Sequence, residues 1–311
     1  MPGLAQHHFP QVVWRENEKR LWNPIHKKAL KNRPEERVRL RIIEALIDAG
    51  WSKHRISTEE ALRPKDQTQR RTDIICYDQN FEPRILIECK AESVPISEKV
   101  AEQTARYNRS VNAPYLLMSN GINDFWYRTS EQNKPERLEE PPEILKIPSR
   151  HPEREFHYWE ERGFAGKNTT DSGLRQWLTT MLNAIWRAES GQGQFIEFNN
   201  SPTDLPLAHY FCIFNVKSNH RVALGLHGTP FGGTRLVAVL NRNKLNVGLI
   251  EVNLDLLAEE TSPNATIYSE SDPQNFDIRD YVSLNLQEVP AREQIIQLPV
   301  SLDELFDDIT V

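Results

Sequence analysis

The period of the apolar positions changes several times along the chain, and each change marks an element. Pro34 stands where a helix can open, because its missing N–H falls in the first turn. Glu35 and Glu36 follow and suit the positive end of the helix dipole. Val38, Ile42, Ala45, Leu46 and Ala49 then recur at helical spacing until Gly50. Thr72–Tyr77 (TDIICY) and Arg84–Lys90 (RILIECK) read as strands, separated by the turn residues Asp78, Gln79 and Asn80. Ser97 can cap a helix reaching Val111, with Val100, Ala101, Thr104 and Tyr107 along it. Pro114–Ser119 (PYLLMS) predicts a buried strand, Asn120-Gly121 a turn, and Asp124–Tyr127 one more strand. Helix, strands, helix, strand is the order of a mixed α/β sheet with helices against it.

On either side of this pattern the chain reads differently. Residues 1–33 are polar and partly basic, carry Trp14 and Trp22, and are expected to form an arm. Residues 129–150, rich in Glu, Lys and Pro, are expected to be a linker. Beyond it Leu174, Trp177, Leu178, Met181, Leu182 and Ile185 mark an amphipathic helix, with Trp177 and Trp186 assigned to a core. From Ala208 onward, strand-like runs (HYFCIFNV, RVALGL, RLVAVLN, KLNVGLIEVNL) predict a β-rich α+β second domain over 151–311. The first domain is then 34–128.

Composition narrows the class. Of 311 residues, 38% are hydrophobic and 26% charged, as in a globular chain, and no apolar run reaches the ~20 residues that cross a bilayer. The start of the sequence has no signal-peptide pattern, and Cys76, Cys89 and Cys212 have neither zinc-pair nor disulfide spacing. A cytoplasmic setting, with no membrane association, is the expectation. The net charge of −6 hides an asymmetry. Residues 1–150 hold 26 Lys and Arg against 22 Asp and Glu (+4), and residues 151–311 hold 12 against 22 (−10). The first half can face a polyanion, although its excess is mild.

The chemistry gathers at the ends of the two central strands. Side chains alternate across a strand, so Glu88 and Lys90 share a face and Cys89 points to the other, into the core. If the strands pair as a hairpin, Asp73 meets Glu88 and Lys90 at the sheet's open end. These charges border the dry core of Ile74, Ile75, Ile85, Leu86 and Ile87, where unmatched carboxylates are costly. A divalent cation relieves that cost, and hard oxygen donors suit Mg²⁺ or Mn²⁺. Asp73, Glu88 and the Cys89 backbone carbonyl are the candidate ligands. Such a metal polarises a phosphodiester and lowers the pKa of a bound water. Lys90 can stabilise charge developing on phosphorus or orient the attacking water.

Asp73, a 14-residue gap and Glu88-Cys89-Lys90 resemble the PD-(D/E)XK nuclease signature, with Thr72 in place of its proline. The flanking blocks PEERVR (Pro34–Arg39), RRTDIICYD (Arg70–Asp78), LIECKAE (Leu86–Glu92), QTARYN (Gln103–Asn108) and YLLMSNG (Tyr115–Gly121) are similar to the N-terminal nuclease domain of type I restriction enzyme R subunits. The resemblance implies a restriction-endonuclease-like fold and a Mg²⁺-dependent endonuclease acting on DNA in restriction or defence. It makes Asp73 and Glu88 metal ligands and Lys90 the catalytic lysine. Gln103 and Tyr107 match the group's QxxxY motif and share a helix face. They would steady the site or touch the DNA backbone. A first-helix acid often completes such sites; Glu35 and Glu36 both qualify, and Glu36 is taken. The implied partners are DNA, helicase, methyltransferase or specificity proteins, and a second copy, since cutting both strands needs two sites.

Other readings compete. Taken alone, an Asp…Glu-x-Lys pattern is common by chance and otherwise a surface ion pair. Arg70 and Arg71 serve equally as phosphate contacts or as strand-edge charges. The fold could act as a non-catalytic nucleic-acid or protein-binding module, or cut RNA or single strands. The nine histidines form no HxH, HExxH or Cys/His pattern. Gly163–Thr169 (GFAGKNT) lacks the spacing of a phosphate loop, and 227–233 (HGTPFGG) reads equally as a binding loop or as turn chemistry.

Overall fold

The computed structural model describes residues 1, 3–16, 18–58, 72–129, 135–145, 153–187, 191–199, 201–202, 205 and 207–310. The chain divides into two compact units, Met1–His151 and Pro152–Val311. No helix among the described residues is long and apolar enough to cross a membrane.

The first unit opens with β1 (Val12–Arg15), β2 (Glu18–Asn23) and β3 (Lys28–Lys31), paired antiparallel in that order. Helix α1 (Pro34–Asp48) follows, and Gly50, at φ +85°, leads the chain out of it. A six-stranded mixed sheet comes next, ordered β4 (Ile56–Thr58), β5 (Ile74–Tyr77), β6 (Pro83–Cys89), β7 (Tyr115–Ser119), β8 (Asp124–Thr129), β9 (Pro135–Leu138). Only β6 and β7 run parallel, and helix α2 (Glu98–Val111) makes their crossover. Alternation along the strands builds two cores. Ile74, Cys76, Ile85, Ile87, Cys89, Leu117 and Trp126 pack with Val38, Ile42 and Leu46 of α1. Ile75, Leu86, Leu116, Met118 and Tyr127 pack on the other face with Ala105 of α2.

Two boundaries differ from the expectation. Residues 1–33 are no arm: they contain the three-stranded sheet, and Ala5 and Leu21 enter the α1-side core. Nor is 129–150 simply a linker, because β9 pairs with β8 and Leu145 joins the same core. Their strands are mostly half-buried and carry charges, and such polar residues blunt a sheet edge and hide the period-2 signal.

The second unit is a seven-stranded antiparallel meander, taken in chain order: β10 (Gly191–Glu197), β11 (Ala208–Lys217), β12 (His220–Gly228), β13 (Thr234–Arg242), β14 (Leu245–Asn253), β15 (Ala265–Tyr268) and β16 (Gln274–Phe276). Its helices are α3 (Phe156–Glu161), α4 (Ser172–Ile185), α5 (Leu254–Ala258) and α6 (Arg292–Thr310). Trp177 is buried on α4, and Trp186 meets Phe164 and Tyr210 edge-on. Helix α6 packs across β11 to β14. There the Asp303 side chain, 1% exposed, meets Lys217 Nζ at 3.5 Å, His220 Nδ1 at 3.0 Å and Arg242 Nη2 at 3.3 Å.

The two glycine-rich loops of this unit lock onto each other. The Gly228 N–H donates to Gly163 O (2.9 Å), the Asn168 N–H to Gly232 O (2.9 Å) and the Gly166 N–H to the Thr234 hydroxyl (2.9 Å). A phosphate cradle needs such amides free, so GFAGKNT is not one. In 227–233 the Thr229 and Gly232 amides and the Gly233 amide are likewise held by Gly233 O, Thr229 O and Thr229 Oγ1. Turn chemistry accounts for that loop.

Candidate active site

The site grows out of the β5–β6 hairpin. Ile74 opposes Ile87, so the residue just before β5, Asp73, falls opposite Glu88 near the end of β6. The Cys89 N–H donates to Asp73 Oδ2 at 2.7 Å and fixes that carboxylate at the strand ends. The Lys90 N–H continues the parallel ladder by donating to Ser119 O at 2.9 Å. The Cys89 side chain is buried in the α1-side core. Glu88 and Lys90 therefore project on the opposite face, the one α2 covers. Lys90 Nζ donates to Glu88 Oε1 at 2.5 Å. Asp73, Glu88 and Lys90 converge at one sheet end.

Their electrostatics follow from that crowding. Burial, and then the neighbouring Glu88 charge, push the Asp73 carboxyl up to about 6, against the Cys89 N–H, Arg39 and Lys90, which favour its ionised form. Lys90 is moved the other way. Burial opposes its charge, but the hydrogen bond and charge of Glu88, with Asp73 behind it, raise its pKa above the usual lysine value. Burial drives the Cys89 thiol well up, so it stays protonated and takes no part as a thiolate.

The other expected residues sit as follows. Glu35 is exposed, whereas the Glu36 side chain is 13% exposed and ion-paired with Arg39 one helical turn on. The Arg39 charge is felt at Asp73 and at Cys89. Gln103 Nε2 donates to the Tyr107 hydroxyl on α2, the two side chains sharing a helix face. Arg70 and Arg71 lie outside the described residues.

Among the described residues no group of three or more His, Cys, Asp or Glu side chains is arranged to hold a metal. The structure brings two carboxylates, Asp73 and Glu88, to one sheet end, and with the expected Cys89 backbone carbonyl they would offer three oxygen donors. That set suits a small hard cation that keeps several of its waters. The raised Asp73 pKa reports burial first and the neighbouring Glu88 charge second, and a bound cation would offset both.

Arg39, Arg41 and Glu92 were not singled out from the sequence as site neighbours. Arg39 had a signal, being three residues beyond Glu36 on the same helix face. Arg41 interrupts the apolar stripe of α1 and is buried. A charge on an apolar helix face was the available cue.

Residues 34–144 match the family described as type I restriction enzyme R protein N terminus (HSDR_N). The first unit thus carries a restriction-system, nuclease-like domain resembling that family, over roughly a third of the chain. Comparison with curated proteins and with solved structures gives no match.

Proposed function

We propose that this domain is an endonuclease that hydrolyses DNA phosphodiester bonds with Mg²⁺ or Mn²⁺, in restriction or defence against foreign DNA. The observation that carries the reading is the meeting of Asp73, Glu88 and Lys90 at one end of the β5–β6 hairpin. A divalent ion on Asp73, Glu88 and the Cys89 carbonyl would polarise the phosphodiester and acidify a bound water. The chain's own groups do the rest. Asp73 is held by the Cys89 amide, so its geometry is set before any ligand arrives. The Lys90 ammonium, kept charged by Glu88 and Asp73, can turn to a phosphate oxygen and offset the charge that develops there. Glu36, held by Arg39, and the Gln103–Tyr107 pair would steady the site or contact the DNA backbone. The family match supports DNA and complex partners such as helicase, methyltransferase or specificity proteins, and a second copy would cut the second strand.

The test is incubation of the purified protein with plasmid, single-stranded DNA and RNA, in Mg²⁺, Mn²⁺ or EDTA. Metal-dependent cutting of the plasmid is expected, and Lys90→Ala should reduce it by on the order of 10²–10³-fold, the scale of one lost charge-stabilising donor. Binding without cutting in every metal overturns the proposal in favour of a binding module. Cutting of RNA or single strands alone corrects its substrate.

A further inference from the structure

Lys90 lies one residue beyond the end of β6, so the strand ladder alone does not hold the loop that follows it. Three contacts do. The Val94 N–H donates to Ala91 O at 2.9 Å, Asn120 Nδ2 donates to Val94 O at 3.1 Å, and Glu92 is ion-paired with Arg41 Nη1. Arg41 is the unusual member. It projects from α1 with its side chain 7% exposed, and its other donors go to backbone carbonyls. Nε reaches Ala5 O (3.2 Å) and His8 O (2.9 Å); Nη2 reaches Ala5 O (3.0 Å), Gln6 O (3.4 Å) and Gly121 O (3.4 Å).

The segment that supplies most of those carbonyls is fastened to the β7–β8 turn beside the site. The Gly3 N–H donates to Ile122 O (2.8 Å) and the Leu4 N–H to Asp124 Oδ2 (2.6 Å). The approach is close enough that a Cβ on Gly3 would lie 2.9 Å from Gly121 O. Gly121 itself, at φ +81°, would put a Cβ 3.1 Å from Arg41 Nη1. Residues 3–8 precede the stretch that matches the restriction family, 34–144. They nonetheless fix the guanidinium that holds the loop after Lys90.

We propose that residues 3–8 form a strap that positions Lys90, acting through Arg41 and its ion pair with Glu92. Arg41 is on this view a positioning residue: its fixed fork reads three carbonyls of the strap and one carboxylate of the loop, a geometry lysine cannot reproduce. The inference rests on Lys90 having the role given above. A loosely held lysine costs rate more than affinity, because a misplacement of about 1 Å is felt chiefly in the transition state.

The experiment compares full-length protein with Glu92→Ala and Arg41→Lys in two readouts. The first is amide hydrogen exchange over residues 90–94. Both variants should lose protection there by at least tenfold, while β5 and β7 keep theirs. The second is the kcat–KM split for plasmid cutting in Mg²⁺. Glu92→Ala should lower kcat about tenfold or more with KM within twofold, and the double variant should be no worse than the more affected single one. Glu92 lies on the loop and not in α1, so its variant keeps the test alive if Arg41→Lys does not fold. Unchanged exchange at 90–94 in Glu92→Ala overturns the strap. A full loss of protection with unchanged kcat in a cutting enzyme overturns its link to Lys90. If the wild-type protein cuts nothing, the nuclease reading fails, and the exchange result alone still decides whether the strap holds the loop.

Discussion

Replacing Asp73 by asparagine should make the protein more stable while abolishing cutting. The carboxyl of Asp73 is pushed up to about 6 by burial and by Glu88. A group whose folded pKa exceeds its unfolded value near 3.9 binds more protons when folded, so stability falls as pH rises from about 4 through about 6. That rise, from about 4 unfolded to about 6 folded, sets a ceiling of about 3 kcal/mol on the cost of ionised Asp73 above pH 7. The side chain is partly exposed, so about half of that, ~1.5 kcal/mol, is the working figure. Asparagine keeps an oxygen that can accept the Cys89 N–H and removes the charge. For a unit of about 150 residues the gain should raise Tm by roughly 3–6 °C. Thermal unfolding followed by circular dichroism in EDTA, at pH 8 and at pH 4.5, measures it. The Asp73→Asn gain should appear at pH 8 and shrink towards zero at pH 4.5, where the wild-type carboxyl is protonated. Adding Mg²⁺ at pH 8 should raise the wild-type Tm and leave that of the variant unmoved, since only a species that binds the ion gains from it. A variant that is destabilised at pH 8, or stabilised equally at both pH values, would refute the account of Asp73 as a carboxylate held at a cost.

The second unit carries two further predictions. Burial would raise the Asp303 carboxyl, but His220 and Arg242 outweigh it and hold the group below the usual range. Its contribution is therefore present above pH 4 and lost as pH falls below that. Asp303→Asn should cost about 2 kcal/mol at pH 7, less than for a fully buried pair because Lys217 and Arg242 can turn to water. The cost should shrink as pH falls below about 4, as read from urea unfolding. Gly166→Ala would set a Cβ 2.0 Å from Gly232 O, a backbone atom that cannot swing aside. It should destabilise this unit by more than about 3 kcal/mol, the scale of severe overpacking, whereas Gly50→Ala, with nothing within 4 Å, should cost only the ~1 kcal/mol of its positive φ. Wild-type-like melting of Gly166→Ala would show that the two loops separate more easily than their hydrogen bonds indicate.

How much of this was legible in the sequence depends on where each residue's partners lie. Glu88 and Lys90 were readable because alternation is local: Cys89 goes to the core, so its neighbours cannot. Asp73 was readable because a hairpin brings the start of one strand to the end of the next. The helix at 34–48 and the runs that became β11 to β14 declared themselves by apolar period, since each buries a full face. By contrast β1, β3 and β9 bury little and alternate poorly, so they resembled an arm and a linker. Arg41 shows the deeper limit. Val38 and Ile42 put it on the buried side of α1, and a sequence offers two outcomes for such an arginine: a stem that snorkels to water, or a guanidinium fully matched inside. The choice was made by the carbonyls of Ala5, Gln6, His8 and Gly121, which stand 33 to 80 residues away along the chain. Backbone carbonyls have no side-chain identity, so no motif could announce them. A site's charged centre is written in local spacing, but the parts that hold it still are recruited from backbone that only the folded chain brings near.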